Sequence, residues 1–390
     1  MKVAVYTIAK NEEQFVERWY NCSKEADYHL IADTGSTDDT VARAKELGID
    51  VYQISVIPFR FDDARNASLA LVPADADYCI ALDMDEVLQP GWRAELERAF
   101  EEGTDRPQYR FITDWTKEGE PAIEFDGFRI HRRQGVRWKY PIHEVPMTYE
   151  GGDVRKRYNF EVHHRPDVTK SRGQYLDLLR RAVDEEPDAR NLYYLGRELY
   201  FRKAYEDCAK VIKEYIKVSN FPAEKSFALR MLAKCEPEKA EEWLMQATEA
   251  CQTREATLAL ANHYYTQKQW KECNAVAKIA LTKTERVTGF LSEEWAWGHM
   301  ADDLIAVSAW QLGDWKEAYK HGKKAVETSP DDERLVNNLA FYKEKVSSRL
   351  TMNLSGLIPS TRPTIRSTSS QDLVVGTKGR QRHHTLSMLK

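Results

Sequence analysis

Two carboxylates one residue apart, Asp83 and Asp85, close the apolar run Tyr78-Cys79-Ile80-Ala81-Leu82. A run with no polar alternation reads as a strand buried on both faces inside a parallel sheet. Side chains at i and i+2 of an extended segment share a face, so the spacing predicts that Asp83 and Asp85 converge on one point. Open α/β sheets hold their ligands at the carboxyl ends of strands. Two hard oxygen donors there suit Mg²⁺ or Mn²⁺ carrying a phosphate. The competing explanation has Asp83 capping a turn and Asp85 starting the helix after Pro90-Gly91. Asp33 ends a second strand, His29-Leu30-Ile31-Ala32, where a carboxylate can accept hydrogen bonds from a ribose or a base edge. Taken alone, an ordinary helix-capping loop is the simpler account of Asp33. Arg65, followed by Asn66, stands near the start of a predicted helix just before the Asp83 strand. Its fork could grip a diphosphate bidentately, with a surface ion pair to Asp62 or Asp63 as the alternative.

The elements that must position these residues alternate. Val3-Ala4-Val5-Tyr6-Thr7-Ile8 reads as a strand, and Asn11-Glu12-Glu13 opens a helix carrying Phe15, Val16, Trp19 and Tyr20 at helical spacing. After the strand ending at Asp33, Ser36 or Thr37 can cap a helix from Val41 to Leu47. Gly48 stops that helix, and a third strand runs from Val51 to Val56. Strand-helix-strand-helix-strand predicts a parallel, right-handed α/β layout. Ile8-Ala9-Lys10-Asn11-Glu12-Glu13, Asp33-Thr34-Gly35-Ser36-Thr37-Asp38-Asp39-Thr40, Ala64-Arg65-Asn66 and Leu82-Asp83-Met84-Asp85-Glu86 occur in this order. Together they resemble the donor half of a family 2 glycosyltransferase of the GT-A fold, over roughly the first 100 residues. The resemblance implies a nucleotide-diphospho-sugar donor, usually a UDP-sugar, a divalent metal (Mn²⁺ or Mg²⁺), and inversion at the anomeric carbon. It places Thr7, Asn11, Glu12, Asp33, Ser36, Asp38, Arg65, Asn66 and Asp83 on the donor side, with Asp83 and Asp85 at the metal and diphosphate.

Beyond Phe100, Gln108-Tyr109-Arg110-Phe111-Ile112 reads as a strand. Phe128 to Arg133 and Val136 to Tyr140 alternate on either side of Gln134-Gly135, which predicts a β-hairpin. One face carries Phe128, Ile130, Val136, Trp138 and Tyr140; the other is basic, either solvated or facing an anion. The resemblance implies a late histidine closing the metal shell, at His164, with His163 and His143 as competitors. A sugar hydroxyl is a poor nucleophile at neutral pH, so an inverting displacement needs a carboxylate beside the acceptor and away from the metal. The resemblance puts that base at Glu144, with Asp114 as runner-up. The family's usual pair there is Glu-Asp, whereas this chain has His143-Glu144. Glu144 paired with a hairpin arginine is the alternative.

From Gln174 the pattern is helical. Tyr205-Glu206-Asp207-Cys208-Ala209, Trp270-Lys271-Glu272-Cys273 and Trp315-Lys316-Glu317-Ala318 echo one another, with a degenerate copy around Lys239-Ala240-Glu241-Glu242. Their spacing is close to multiples of ~34 residues except at the last interval, which resembles tetratricopeptide helix pairs. From Ser347 onward there are seven Lys/Arg against one Asp in a Ser/Thr-rich stretch, with too little apolar surface to offset ordering. The expected architecture is therefore α/β followed by all-α. Residues 1–168 form a GT-A domain, 169–346 a tetratricopeptide-like helical solenoid, and 347–390 a flexible basic tail. The net charge of −5 names no partner, and the six cysteines show no paired spacing, which suits reduced thiols in a cytoplasmic protein. No run approaches the 18 apolar residues of a membrane span. The function expected is a metal-dependent inverting glycosyltransferase acting on a hydroxyl of a glycan, a protein or a modified nucleobase. Its repeats would serve a protein partner or self-association. The rival is a non-catalytic nucleotide-sugar-binding scaffold whose repeats bind a partner protein.

Overall fold

The computed structural model describes residues 1–115, 119–149, 153–167, 175–286 and 291–355, the last eight as backbone alone. Contacts divide the chain into two compact units, Met1–Pro187 and a second that begins at Asp188. In chain order the first unit runs β1 (Val3–Ala9), α1 (Val16–Ser23), β2 (Tyr28–Asp33), α2 (Thr40–Glu46), β3 (Asp50–Gln53), α3 (Phe61–Leu71), β4 (Tyr78–Ala81), β5 (Glu86–Leu88) and α4 (Trp92–Glu101). It continues with β6 (Arg106–Trp115), β7 (Pro121–Gly127), β8 (Ile130–Arg132), β9 (Val136–Lys139), β10 (Val145–Thr148), β11 (Arg155–His164) and α5 (Tyr175–Glu185).

The main sheet has five strands in the order β3-β2-β1-β4-β8, the first four parallel, as expected of strands joined by helical crossovers. Alternation sorts Val3, Val5, Tyr78, Ile80 and Leu82 onto one face with Trp19, Trp92 and Leu96. Ala4, Tyr6, Cys79 and Ala81 face the other way, onto Leu69, Val72 and Trp138. Both faces of β4 are thus dry, which is why its sequence has no polar alternation. A second sheet, β5-β11-β6-β7, pairs β11 parallel to β6 and antiparallel to β5.

Four local expectations are corrected. The hairpin does not form: β8 joins β4 antiparallel, while β9 pairs with β10. The open edge of β4 needs partners for its backbone groups, and β8 with the Arg129 carbonyl (accepting from Ala81 N–H at 3.1 Å) supplies them. Gly135, at φ +74°, still reverses the chain, but between two different sheets. The helix after β1 begins at Val16, and β3 ends at Gln53. Neither Ser36 nor Thr37 caps α2; Asp38 accepts from the Thr40 N–H instead, at 3.0 Å.

The second unit is built of antiparallel helix pairs: α6 (Ala189–Phe201) with α7 (Tyr205–Val218), α8 (Pro222–Cys235) with α9 (Ala240–Ala250), α10 (Arg254–Thr266) with α11 (Trp270–Leu281), and α12 (Met300–Gln311) with α13 (Trp315–Thr328). The long α14 (Glu333–Ser355) follows. The echoing phrases open the second helix of each pair, and first helices begin at steps of 33, 32 and 46 residues. Asp188, Thr253 and Asp314 cap α6, α10 and α13 through their side chains. Gly196 is required by packing: a Cβ there would lie 2.3 Å from Ile212 Cδ1. The long last step comes from the segment before α12, which folds back onto the first helices. Glu293 pairs with Arg230 at 2.6 Å, and buried Glu255 accepts from Trp297 Nε1 at 2.8 Å. Because α14 runs to Ser355, the start of the expected tail is helical; residues 356–390 lie outside the described residues. The six cysteines are free, and no helix among the described residues is long and apolar enough to cross a membrane.

Candidate active site

Strand β4 ends at Ala81, and Leu82 is still core, its carbonyl accepting from Trp19 Nε1 at 2.9 Å. The chain then turns: Glu86 N–H donates to the Asp83 carbonyl, and Asp83 N–H donates to Glu86 Oε2, both at 2.9 Å. That turn overturns the extended geometry expected for Asp83 and Asp85, so the two carboxylates leave in different directions. Asp83 turns inward. Its Oδ1 accepts from Arg65 Nη2 and its Oδ2 from Arg129 Nη1 at 2.7 Å. Arg65 Nε donates to Glu144 Oε1 at 3.0 Å, and Arg129 Nη1 also donates to Glu86 Oε1 at 3.1 Å. The result is an alternating chain, Glu144–Arg65–Asp83–Arg129–Glu86, whose members are at most 6% exposed. Buried charges survive only when paired in this way. Burial pushes the Glu86 carboxyl up to about 7 against the pull of Arg129, with Asp83 and Asp85 adding to the rise. Burial alone would depress Arg65, but Asp83 and Glu144 outweigh it and hold the guanidinium charged. Arg65 therefore grips these two carboxylates, and not Asp62 or Asp63, while its guanidinium lies 5.2 Å from the Trp138 ring. Sequence reasoning gave Glu86 no role and read Arg129 as part of a basic face. The signal for Arg129 was its place between Phe128 and Ile130, immediately before β8.

Asp85 turns the other way. Register sets His164, the last residue of β11, opposite Glu86 of β5, and His164 Nε2 lies 3.2 Å from Asp85 Oδ2. His163 points to the opposite side, to Glu161 at 2.8 Å. His143 sits in the loop before β10 at φ +55°. The described residues contain no cluster of three or more His, Cys, Asp or Glu side chains that could hold a metal. The donor set at this spot is one carboxylate and one imidazole. That set fits a Mg²⁺- or Mn²⁺-type cation, which takes one or two protein ligands and completes its shell with substrate phosphates.

The donor-side residues tie two loops together. Asp33 is fully buried and accepts from the Gly35 and Ser36 N–H groups, each near 3.1 Å. Asn11, at φ +56°, donates its N–H to Ser36 Oγ at 2.9 Å and accepts from Thr37 N–H at 2.8 Å. Glu12 N–H donates to Thr40 Oγ1 at 2.8 Å. Burial alone would raise Asp38, but hydrogen bonds from Thr40 and the Glu13 N–H hold it below the usual carboxylate range. Thr7 is buried, its hydroxyl 3.2 Å from the Ile8 carbonyl. Both amide atoms of Asn66 clamp the Trp138 backbone, at 2.8 and 2.9 Å. The loops after β1 and β2 thus form one cross-braced rim at the carboxyl ends of adjacent strands.

Residues 4–154 match the profile of Glycosyl transferase family 2. Residues 4–154 form a family 2 glycosyltransferase domain. Solved structures similar to the chain include MamA, at 16% identity over 40% of this chain and 86% of that one, TM-score 0.34. A thermophilic TPR protein of Thermus thermophilus is 21% identical over 44% of this chain and 91% of that one, TM-score 0.30. Glucosyl-3-phosphoglycerate synthase from Mycobacterium tuberculosis, solved with Mn²⁺, UDP-glucose and glycerol 3-phosphate, is 25% identical over 28% of this chain and 44% of that one, TM-score 0.25. At these scores the likenesses assign nothing to individual residues. The two acids expected beside the acceptor differ sharply in their surroundings. Glu144 is 3% exposed and bound to Arg65, whereas Asp114 is half-buried at the end of β6, its Oδ1 accepting from Trp115 N–H at 2.9 Å. Strand β6 runs parallel to β11, with Ile112 beside His163, so Asp114 and His164 share one end of the second sheet.

Proposed function

We propose that the chain transfers a sugar from a nucleoside-diphosphate donor, a UDP-sugar, to an acceptor hydroxyl with inversion. The observation that carries this is the family match over residues 4–154 together with Asp85 and His164 meeting at the end of the central strand. The cross-braced loops of Asn11, Asp33, Ser36 and Asp38 hold the nucleoside. Asp85 and His164 would hold a divalent cation, which when bound would supply Lewis-acid stabilisation of the leaving nucleotide. Asp83, fixed from both sides by Arg65 and Arg129, keeps the turn rigid so that Asp85 is presented in one place. The acceptor proton passes to a carboxylate. Glu144 serves Arg65 and is sealed from solvent, so the base is assigned to Asp114, half-buried at the end of β6.

The test is release of UDP from UDP-glucose, UDP-galactose or UDP-GlcNAc with Mn²⁺, across a panel of glycan, peptide and hydroxylated-nucleobase acceptors. Wild-type turnover should vanish with EDTA and with Asp85→Asn. Asp114→Asn should lower turnover by ~10²–10⁴ while leaving UDP affinity within about twofold. Full activity in EDTA would remove the metal from the mechanism. Near wild-type turnover of Asp114→Asn with loss in a folded Glu144→Gln variant would return the base to Glu144.

A further inference from the structure

The six cysteines are scattered in sequence, but two of them meet in the helical unit. A short turn joins α7 to α8, so the two helices run antiparallel. Two side-chain contacts mark their register. Tyr215 Oη donates to Glu224 Oε1 at 2.7 Å near the turn, and farther from it Lys213 pairs with Glu236. The next stretch of α7 away from the turn carries Cys208, and the last residue of α8 is Cys235. The two thiols hydrogen-bond to each other. Cys208 is fully buried, whereas Cys235 is partly exposed.

In such a pair one sulfur donates and the other accepts. Cys208 is the donor: its bond to Cys235, with burial added, pushes its pKa up and keeps its proton in place. Cys235 is the acceptor, and the same bond lowers its pKa against the pull of burial and of the Glu236 carboxylate. The other four thiols lack that support, and burial pushes Cys22, Cys79, Cys251 and Cys273 up. The thiolate is the reactive form of a cysteine. Cys235 is thus the one thiol of the six that joins a favoured thiolate to an opening on solvent, and a second sulfur stands beside it.

We propose that Cys208 and Cys235 form a redox site of the helical unit, in which a peroxide oxidises Cys235 and Cys208 closes a reversible disulfide. The Cys235 thiolate attacks one oxygen of hydrogen peroxide; the O–O bond breaks, hydroxide leaves, and Cys235 becomes a sulfenic acid. The Cys208 sulfur then attacks the Cys235 sulfur. The S–S bond forms as the S–O bond breaks, and the hydroxyl leaves with the Cys208 proton as water. The hydroxide takes up the proton that Cys235 gave away, so one peroxide becomes two waters while two thiols give up two electrons. A dithiol reductant reverses the change. The new bond ties the first turn of α7 to the end of α8 and closes the hairpin into a covalent loop, which restricts the unfolded chain.

The experiment treats the full chain with a small excess of hydrogen peroxide, blocks the remaining thiols with iodoacetamide, and reads the unreduced peptides by mass spectrometry. A Cys208–Cys235 crosslink should be the first oxidation product and should disappear with dithiothreitol. Before oxidation, iodoacetamide should label Cys235 at least about tenfold faster than Cys22 or Cys251, the other partly exposed thiols. In Cys208→Ala that labelling should slow, and peroxide oxidation of Cys235 should stop at a sulfenic acid trapped by dimedone. Forming the crosslink should raise the thermal midpoint of the wild-type helical unit by about 5–10 °C. Oxidation that starts at another cysteine, or a wild type in which Cys208 and Cys235 both remain open to alkylation after peroxide, would overturn the site. A crosslink that leaves the midpoint unmoved would overturn the lock it places on α7 and α8.

Discussion

Replacing Arg65 by methionine tests whether the buried charge chain holds the site together. Arg65 is 1% exposed and bridges Asp83 at 5% and Glu144 at 3%. Removing one partner of a buried pair leaves an uncompensated charge and costs about 3–5 kcal/mol. Asp83 keeps Arg129 at 2.7 Å, so Glu144 is the group left stranded, and the expected loss for Arg65→Met stays within that range despite the two contacts removed. Glu144→Gln in the same chain removes the stranded charge, so the double variant should be more stable than the sum of the singles by about 1–3 kcal/mol. Arg65→Lys should recover only part of the loss, because one ammonium cannot serve two carboxylates with a planar fork. Urea unfolding followed by tryptophan emission reads the effect, with Trp138 at 5.2 Å from Arg65 as a local reporter. Additivity of the two singles to within about 0.5 kcal/mol would refute the coupling. So would an Arg65→Met loss below about 1 kcal/mol, well short of the buried-pair range.

Further outcomes follow from residues away from the charge chain. His131 is fully buried, 3.0 Å from the Tyr6 hydroxyl, and burial lowers its pKa to about 4. Its neutral form therefore stabilises the fold fully above pH 6.5, and that contribution is lost as pH falls from 6.5 toward 4, on the order of 3 kcal/mol in all. A His131→Asn variant should show a flatter acid limb in unfolding measured between pH 4 and 7. Gly196→Ala, which sets a methyl 2.3 Å from Ile212 Cδ1, should destabilise the helical unit by about 1–3 kcal/mol; an unchanged thermal midpoint would show that α6 and α7 can part at no cost. Glu255→Ala, which removes the buried acceptor of Trp297 Nε1 and of the Glu293 N–H, should cost about 1–3 kcal/mol. Glu293→Gln, at a partly buried pair with Arg230, keeps an amide oxygen as acceptor and should cost less, about 1 kcal/mol. The reverse order in urea midpoints would contradict the packing of this segment.

Much of the fold is legible in the sequence because it follows from local periodicity. The apolar strands before Asp33 and Asp83, the helix carrying Arg65, and the phrases opening α7, α11 and α13 all rest on patterns within about ten residues. Pairing between strands is less legible. Alternation in β8 and β9 fits a hairpin as well as it fits two strands of separate sheets, and only the open edge of β4 decides between them. The turn at Asp83 was hidden for a related reason: Met84-Asp85 carries no glycine or proline to announce it, and Glu86 makes the turn by returning its carboxylate to the Asp83 N–H.

The site shows the same division at the level of charge. Sequence reasoning found Asp83, Asp85, Arg65, Glu144 and His164 as chemistry-bearing residues, and all five lie in the first unit near the end of β4. It grouped His164 with Asp85, but it did not find that Arg65 meets Glu144, because that pair joins residues 79 apart in the chain with no local signal. The two aspartates look equivalent as a motif, yet one is enclosed between guanidiniums and the other faces an imidazole. That difference is set by β8, which carries Arg129 to Asp83 only because it pairs with β4. Had the hairpin formed instead, Asp83 would have lost one of its two cations and both aspartates could have turned toward a metal. Strand pairing therefore decides which carboxylate is enclosed between guanidiniums and which remains beside His164, where the proposed function puts a cation.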